Sequence, residues 1–319
     1  MKNIYRRRRI SIPNLHLYKL RMTVPHVLRG TIVTILSTDV SAGTEIGRKL
    51  GKLHEDEATK IFYRKKDEYL TSILFPTGLP NRLLEVTECL TTSSGFYLNV
   101  PVLPKSEDGE ILLLAEASGL SGQVLLSSQD GEKLLKGTSL IKYVSREVSD
   151  PSVETSDLGY VSVDKMFQVR GVGTVILGFS NTELMVHDKL TALPNGKEVE
   201  IKSIQVLDED QERVGPGVRV GIAVKNLRPE DLKGIYSLVK AEVKTMEKVK
   251  GRLTKFEWSE YSPGTYHVIA AGSSSVALIE GQGEVEVKLN RKLPSATRLL
   301  VLNLNAKPKK PRVIGYIEV

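Results

Sequence analysis

Hydrophobic positions in the first half of the chain follow two periodicities. A run rich in β-branched residues, Val27 to Leu36, predicts a buried strand. Apolar residues then recur three and four apart from Ser41 to Leu53, which predicts a helix, and a second helical pattern covers Asn81 to Leu90. Further apolar runs predict strands at Lys60 to Tyr63, Tyr69 to Phe75, Phe96 to Leu103, Ile111 to Ala115 and Val124 to Leu126. Strands alternating with helices predict an α/β layer domain over residues 23–150.

The pattern changes after a polar stretch from Asp150 to Asp157, which is typical of a linker. Helical periodicity nearly vanishes beyond it, and short β runs alternate with Gly, Pro, Asn and Asp. Strands at this spacing favour sandwiches or closed barrels, which remove the exposed edges that would otherwise pair with other chains. The sequence therefore predicts two all-β units, over residues 158–240 and 241–319.

Composition narrows the class of protein. The chain has 319 residues, of which 40% are hydrophobic and 26% charged, as in ordinary globular proteins. Its single cysteine, Cys89, excludes an internal disulfide and a cysteine-based zinc cluster. The five histidines show no metal-ligand spacing, so no metal site is expected. Without a long apolar stretch or a leader pattern, the sequence predicts a cytoplasmic protein with no membrane partner.

The net charge of +7 is concentrated at the N-terminus. Residues 1–22 hold seven basic residues and no acid, which leaves 38 basic and 38 acidic residues elsewhere. We expect this basic extension, with Arg6, Arg7, Arg8 and Arg9, to contact RNA phosphates. A solvated tail, or an extension that precedes a true start at Met22, explains the same composition.

Turn signals between residues 160 and 240 occur in a distinctive order. Gly171 and Gly173 flank a turn between two β runs, and the Asn195-Gly196 pair is a hairpin signal that precedes another strand. In this order and spacing the segment resembles the second domain, a β-barrel, of the translational GTPases related to elongation factor Tu, with a leaning toward the selenocysteine-specific branch. The end of the chain resembles the third domain of that family, also a barrel.

The resemblance implies that residues 23–150 correspond to the GTP-binding domain, but its motifs are degraded. Aligned with the phosphate loop G-x-x-x-x-G-K-[ST], the chain keeps Gly43, has Thr44 at the lysine position and has Glu45 at the magnesium-binding hydroxyl. Only Asp130 matches the guanine-recognition motif N-K-x-D. The resemblance and these losses together imply a degenerate P-loop GTPase-like domain without catalytic residues or cofactor. If the alignment is shifted, weak GTP or GDP binding would remain at Gly43, Thr44 and Asp130.

The D-x-x-G motif of the family is also missing after the strand predicted to end near Leu103. The segment Pro104 to Gly109 has neither its spacing nor, by the predicted pattern, a helix behind it. Switch loops need this motif to hold a γ-phosphate, so the switching mechanism of such proteins is not expected.

Candidate RNA contacts fall on both predicted barrels. The resemblance implies that the second-domain loop faces ribosomal RNA or the aminoacyl end of a transfer RNA, and the third domain a transfer RNA stem. The residues concerned are Arg170, Gly171, Gly173, Thr174 and Arg219 on the first barrel, and Lys250, Arg252, Lys309, Lys310 and Arg312 on the second. Structural glycines and solvated charged faces explain these residues equally well. Trp258 is expected to pack in the core or at the end of a barrel rather than to stack on a base.

These observations favour an elongation-factor-like pseudo-GTPase that binds the ribosome or a transfer RNA without GTP hydrolysis. One alternative is a divergent GTPase whose site the ribosome completes. Another is an adaptor that uses its barrels to bind proteins, including other translation factors.

Overall fold

The computed structural model describes residues 27–225, 227–307 and 309–319, without the side chains of Gln129 and Asp130. The predicted basic extension, with Arg6, Arg7, Arg8 and Arg9, lies outside the described residues. An α/β layer at the N-terminal end of this part of the chain is followed by two all-β units. The predicted fold class is therefore confirmed.

The N-terminal sheet is mainly parallel. Its strands and helices are β1 (Arg29–Leu36), α1 (Val40–Leu50), β2 (Lys52–Asp56), β3 (Thr59–Lys66), β4 (Tyr69–Pro76), α2 (Leu83–Thr92), β5 (Gly95–Val100), α3 (Ser106–Ser118), β6 (Ser121–Leu126) and β7 (Val144–Ser145). The strand order is β2-β3-β4-β1-β5-β6-β7. β1 runs parallel to both β4 and β5, so the carboxyl ends of these strands meet at one edge, beyond β1. Ligands of open α/β sheets bind at such an edge.

Helix α1 ends earlier than the apolar spacing predicts. Ile46 and Leu50 are buried against the sheet as expected, but the helix stops at Gly51 and Leu53 belongs to strand β2. Gly51 is fully extended, and the chain turns there into the β2–β3 hairpin.

Helix α3 corrects the prediction of a strand from Ile111 to Ala115. The run is the centre of a helix that begins at Ser106, so the expectation of no helix behind Pro104 to Gly109 was also wrong. Residues 110–115 are all buried, because the helix lies between the sheet and two strands of the last barrel, Arg298–Leu302 and Val313–Glu318. A helix whose central residues are all covered carries no amphipathic period there, and a short apolar run then looks like a strand.

The first barrel follows the predicted linker. It contains β8 (Tyr160–Val169), β9 (Gly173–Asn181), β10 (Leu184–Met185), β11 (Lys189–Leu193), β12 (Glu198–Val206), β13 (Glu209–Gln211), β14 (Arg213–Val214), β15 (Val218–Val224) and β16 (Ser237–Lys240). The row β11-β16-β8-β9-β15-β12 closes on itself because β11 also pairs with β12.

The second barrel is closed as well. Its strands are β17 (Thr245–Lys255), β18 (Gly264–Ala270), β19 (Ser273–Gln282), β20 (Glu284–Pro294), β21 (Arg298–Leu302) and β22 (Val313–Glu318). They pair in the order β17-β20-β19-β18-β21-β22. Tyr266, Val287 and Ile317 are among the side chains that fill its interior.

The N-terminal sheet shares its cores with both barrels. Leu28 and Ile32 belong to the same buried cluster as Val218 of the first barrel, and helices α2 and α3 belong to one cluster with Leu300 of the second. The backbone N–H of Gly30 also donates to Pro216 O at 3.0 Å. Continuous apolar cores resist rotation more strongly than polar contacts do, so the three units pack as one body.

None of the helices described in residues 27–225, 227–307 and 309–319 is long and apolar enough to cross a membrane.

Candidate functional site

The turn from β1 to α1 lies where the sheet presents its ligand-binding edge. Only Ser37, Thr38 and Asp39 separate the end of β1 from the start of α1. A phosphate loop of the form G-x-x-x-x-G-K-[ST] needs a longer connection, since its backbone must curve around the phosphates before the helix begins.

The carboxylate of Asp39 occupies the N-terminus of α1. The backbone N–H groups of Ser41 and Ala42 donate to Asp39 Oδ1 at 2.8 and 3.0 Å. Free N–H groups at a helix start form the anion-binding site of phosphate loops. Here a side chain of the chain itself already takes those donors and places a negative charge beside them.

Two further hydrogen bonds join the β1–α1 turn to helix α3 and to strand β5. Thr38 Oγ1 donates to Asp108 Oδ1 of helix α3 at 2.5 Å, and Asn99 Nδ2 at the end of β5 donates to Ser37 Oγ at 3.1 Å. Asn99 and Asp108 are both buried. A nucleoside triphosphate would have to displace this network and approach the carboxylates of Asp39 and Asp108, so these residues do not fit it.

The residues aligned with the phosphate loop make contacts within their own helix or with the sheet. Gly43 lies inside α1, where an added Cβ would be 2.2 Å from Phe75 Cζ, so the glycine allows the helix to approach the sheet. Thr44 Oγ1 donates to Val40 O at 2.6 Å. Glu45 pairs with Lys49 at 3.0 Å on the exposed side of the helix. Asp130 is in a 3-10 helix, Gln129–Leu135, that follows β6.

Arg219, a predicted RNA contact, is instead buried between the N-terminal sheet and the first barrel. Its guanidinium forms ion pairs with Glu55 of β2 and with Asp164 of β8, the latter at 2.5 Å. It also donates to Tyr63 Oη of β3 at 3.2 Å. Arg219 is 7% exposed, so it cannot contact RNA phosphates in this arrangement.

The charges of this cluster alter the ionisation of its members. Burial alone would raise the pKa of Glu55, but hydrogen bonds and positive charge from Arg219 and Lys165 outweigh it, and the pKa is lowered. Burial raises the pKa of Tyr63 to about 12 against the opposing effect of Arg219. Glu55 is therefore held as a carboxylate and Tyr63 as a neutral phenol at neutral pH.

Arg312 also serves the contact between units. It donates from Nε and Nη2 to the carboxylate of Glu110 in α3, at 3.0 and 2.5 Å, and from Nη1 to Pro80 O at 2.9 Å. The hydrogen bond with Glu110 raises the pKa of Arg312 above its ordinary value. Arg312, a predicted RNA contact, thus joins the second barrel to helix α3 and to the backbone at Pro80.

The remaining predicted RNA contacts differ in exposure. Arg170, Lys250, Arg252, Lys309 and Lys310 are exposed. Gly171 and Gly173 have φ of 82° and 114° in the β8–β9 turn, a backbone conformation that explains both glycines. Thr174 is buried and donates to Leu227 O at 2.6 Å. The exposed cations lie on two barrels, whereas Arg219 is buried.

Across the described parts of the chain, no group of three His, Cys, Asp or Glu side chains could hold a metal ion. His187 and Asp188 form a turn, in which the Asp188 carboxylate accepts from the Met185 N–H at 2.9 Å.

Several residues of these sites were not predicted from the sequence. Asp39 had a recognisable signal, since an Asp directly before a helical pattern is a frequent N-cap. Glu55, Glu110 and Asp164 had none, because their partners lie far away in the sequence. Trp258 was expected to be packed but is 56% exposed in the turn after β17.

Comparison of sequences gives relatives among translation elongation factors, although no family model matches the chain. The chain is 24% identical over 268 residues to an uncharacterized protein of Methanocaldococcus jannaschii, covering 77% of this chain and 86% of that protein. It is 26% identical over 150 residues to elongation factor 1-alpha of Picrophilus torridus, covering 47% and 32%. A stretch of 71 residues is 39% identical to the selenocysteine-specific elongation factor of Methanocaldococcus jannaschii, covering 22% and 15%. The chain thus spans a third or less of the two elongation factors.

Solved structures show the same fold. A bacterial selenocysteine-specific elongation factor, EF-Sec, superimposes with a TM-score of 0.74 at 16% identity, covering 91% of this chain and 58% of that one. The apo form of translation elongation factor SelB from Methanococcus maripaludis gives 0.71 at 17% identity, covering 92% and 80%. The resemblance to translational GTPases related to elongation factor Tu, predicted from the turn signals, is confirmed.

Proposed function

We propose that the protein acts in translation as an elongation-factor-like protein that binds the ribosome or a transfer RNA without binding or hydrolysing GTP. The likeness in fold and sequence to elongation factors supports the translational role. The pseudo-GTPase part rests on one observation, the Asp39 carboxylate that accepts from the Ser41 and Ala42 amides.

The chemistry of this turn argues against a triphosphate. Phosphate loops rely on free amides, a lysine and a hydroxyl that holds Mg²⁺. In this chain the segment from Ser37 to Thr44 contains no lysine, and Asp39 and Asp108 supply negative charge. Like charges about 4 Å apart repel by about 1 to 4 kcal/mol, depending on the local dielectric.

The shared cores add a second argument. A GTP-driven switch needs its G domain to move or its switch loops to become ordered. Arg219 and Arg312 instead fix the N-terminal sheet to both barrels. A protein whose three units are fixed relative to one another is suited to staying bound at one site. It is less suited to alternating between bound and released states.

Nucleotide binding is tested by titrating the full chain with labelled GTP and Mg²⁺, with an active GTPase as positive control. We expect no saturable binding in the micromolar range. Clear binding would favour the alternative of a divergent GTPase.

Ribosome binding is tested by sedimenting a lysate on a sucrose gradient. We expect the protein to co-sediment with ribosomal particles at low salt and to leave them at high salt, because phosphate contacts release counterions. Co-purification with another protein after nuclease treatment, and no association with RNA, would favour the adaptor alternative.

A further inference from the structure

A groove lies between helix α3 and the second barrel. It encloses about 700 Å³, within the range of sites for small ligands. We call it the α3 groove and define it by Gly109 and Leu113 of α3, Leu134, and Trp258, Lys309 and Lys310 of the barrel side. Gly43, Thr44 and Asp130, the residues aligned with the nucleotide motifs, do not line it.

Trp258 presents an indole to this groove from a fixed turn. Lys255 Nζ donates to Phe256 O and to Ser259 O, both at 2.9 Å, and Ser259 Oγ donates to Val313 O at 2.6 Å. These bonds hold both sides of the tryptophan while its side chain stays exposed. An aromatic face held in place at a groove loses little entropy when a planar group stacks on it.

The barrel side of the groove carries positive charge. Lys309 and Lys310 are exposed and follow one another in the loop that Arg312 anchors to Glu110 and Pro80. Lys310 also faces Glu260 at 3.3 Å. On the helix side, Glu110 is paired with Arg312, and the Glu107 carboxylate of the first turn accepts from Ser106 Oγ at 2.9 Å. The anionic group of a ligand in the groove is therefore expected beside the lysines and away from the acidic side chains of α3.

Gly109 leaves the helix wall of the groove open. A Cβ at this position would meet no atom within 4 Å, so packing does not require glycine. Glycine inside a helix is less favourable than alanine, and its benefit is close approach of another group to the backbone. The position therefore points to a ligand rather than to the fold.

We propose that the α3 groove binds an unpaired nucleotide of RNA, with its base stacked on Trp258 and its phosphate beside Lys309 and Lys310. Aromatic stacking and flanking cations are how proteins hold single-stranded nucleic acid. The inference rests on the proposed function insofar as that function includes RNA contact, and adds a defined site and chemistry to it.

The protein reports on this site directly, because Trp258 is its only tryptophan. The full chain is titrated with a single-stranded RNA hexamer, a blunt RNA duplex and a nucleoside monophosphate, and indole fluorescence is followed. We expect saturable quenching by the hexamer, weaker at high salt, and none by the duplex. Equal quenching by the monophosphate at equal concentration would identify a free nucleotide as the ligand and overturn the RNA assignment.

Variants separate stacking from charge. Binding of a labelled hexamer, measured by anisotropy, should weaken about 10-fold in Trp258→Ala. Lys309→Ala should weaken it several-fold and reduce its salt dependence, and Gly109→Ala should weaken it while the fold is kept. Lys244→Ala, an exposed lysine just before β17 and outside the groove, is the matched control and should bind as the unaltered protein does.

The outcomes distinguish this inference from the proposed function. Ribosome or transfer RNA binding without any change in Trp258 fluorescence, or hexamer binding unaffected by Trp258→Ala, would overturn the groove and leave the proposed function standing. Hexamer quenching without co-sedimentation with ribosomes, and without transfer RNA binding, would support the groove and overturn the proposed function.

Discussion

Arg312 of the second barrel donates two hydrogen bonds to the carboxylate of Glu110 in helix α3, from Nε at 3.0 Å and from Nη2 at 2.5 Å. The two side chains are 22% and 11% exposed, so the pair is largely shielded from water. A carboxylate enclosed in this way depends on its cation, because water cannot take over the solvation of Glu110. The contact is therefore expected to be important for attaching the second barrel to the N-terminal unit.

Replacing Arg312 by Met tests this contact. The change removes the cation of the enclosed Glu110 carboxylate and leaves it the backbone N–H of residue 312, which donates to Oε1 at 2.8 Å. We expect the free energy of unfolding to fall by about 3 kcal/mol. Urea denaturation followed by circular dichroism measures it. Lys309→Ala, three residues away and exposed, is the control and should change stability by less than about 0.5 kcal/mol. Equal effects of the two substitutions would contradict the assigned role of Arg312.

The Arg219 cluster predicts a dependence of stability on pH. The folded protein lowers the pKa of Glu55 below its ordinary value of 4.5. A group whose pKa is lower when folded adds stability above its unfolded pKa and loses it as the pH falls through the folded pKa. The stability advantage of the unaltered protein over Glu55→Gln should therefore be full at neutral pH and shrink progressively below about pH 4.5.

Urea unfolding of both proteins between neutral and acidic pH measures this difference. Glu242→Gln, at an exposed position, controls for the general effect of acid on the fold. A Glu55→Gln difference that stays constant over the whole range would show that the Glu55 charge contributes nothing to the contact with Arg219.

The sequence predicts the layers of this fold better than its contacts. Strand and helix alternation, followed by strands at short spacing, depends on local periodicity, so the sheet and two all-β units could be predicted. That these units are barrels was implied by the resemblance to elongation factors. Helix α3 could not, because it is enclosed by two units and Ile111 to Ala115 has no polar face. Basic residues such as Arg219 looked like RNA contacts, since their acidic partners are adjacent only after the units pack together.

Asp39 gives a prediction about the nucleotide-binding edge. Asp39→Ala removes the acceptor of the Ser41 and Ala42 amides, and we expect the free energy of unfolding to fall by about 1 kcal/mol. Asp39→Ser keeps a capping oxygen without the charge and should lose much less. Thermal unfolding of the variants measures both changes, and equal losses for Ala and Ser would show that the side chain does not act as a cap.

Close approach at Gly30 gives a prediction about the contact between β1 and the first barrel. A Cβ at Gly30 would lie 2.0 Å from Leu70 O of β4 and 2.7 Å from Gly217 O, just before β15. Both oxygens belong to the backbone. Gly30→Ala must push β1 away from β4 or from the first barrel, and it should lower the free energy of unfolding by about 3 kcal/mol.

Gly109→Ala is the matched control, because the same added methyl group meets no atom within 4 Å and replaces a glycine in a helix. It should raise the free energy of unfolding by up to about 1 kcal/mol. Opposite signs for the two substitutions, measured by urea denaturation, would follow from the close packing of the N-terminal sheet against the first barrel. A neutral Gly30→Ala would mean that the two units can separate at β1 without loss, and that the shared core does not hold them as one body.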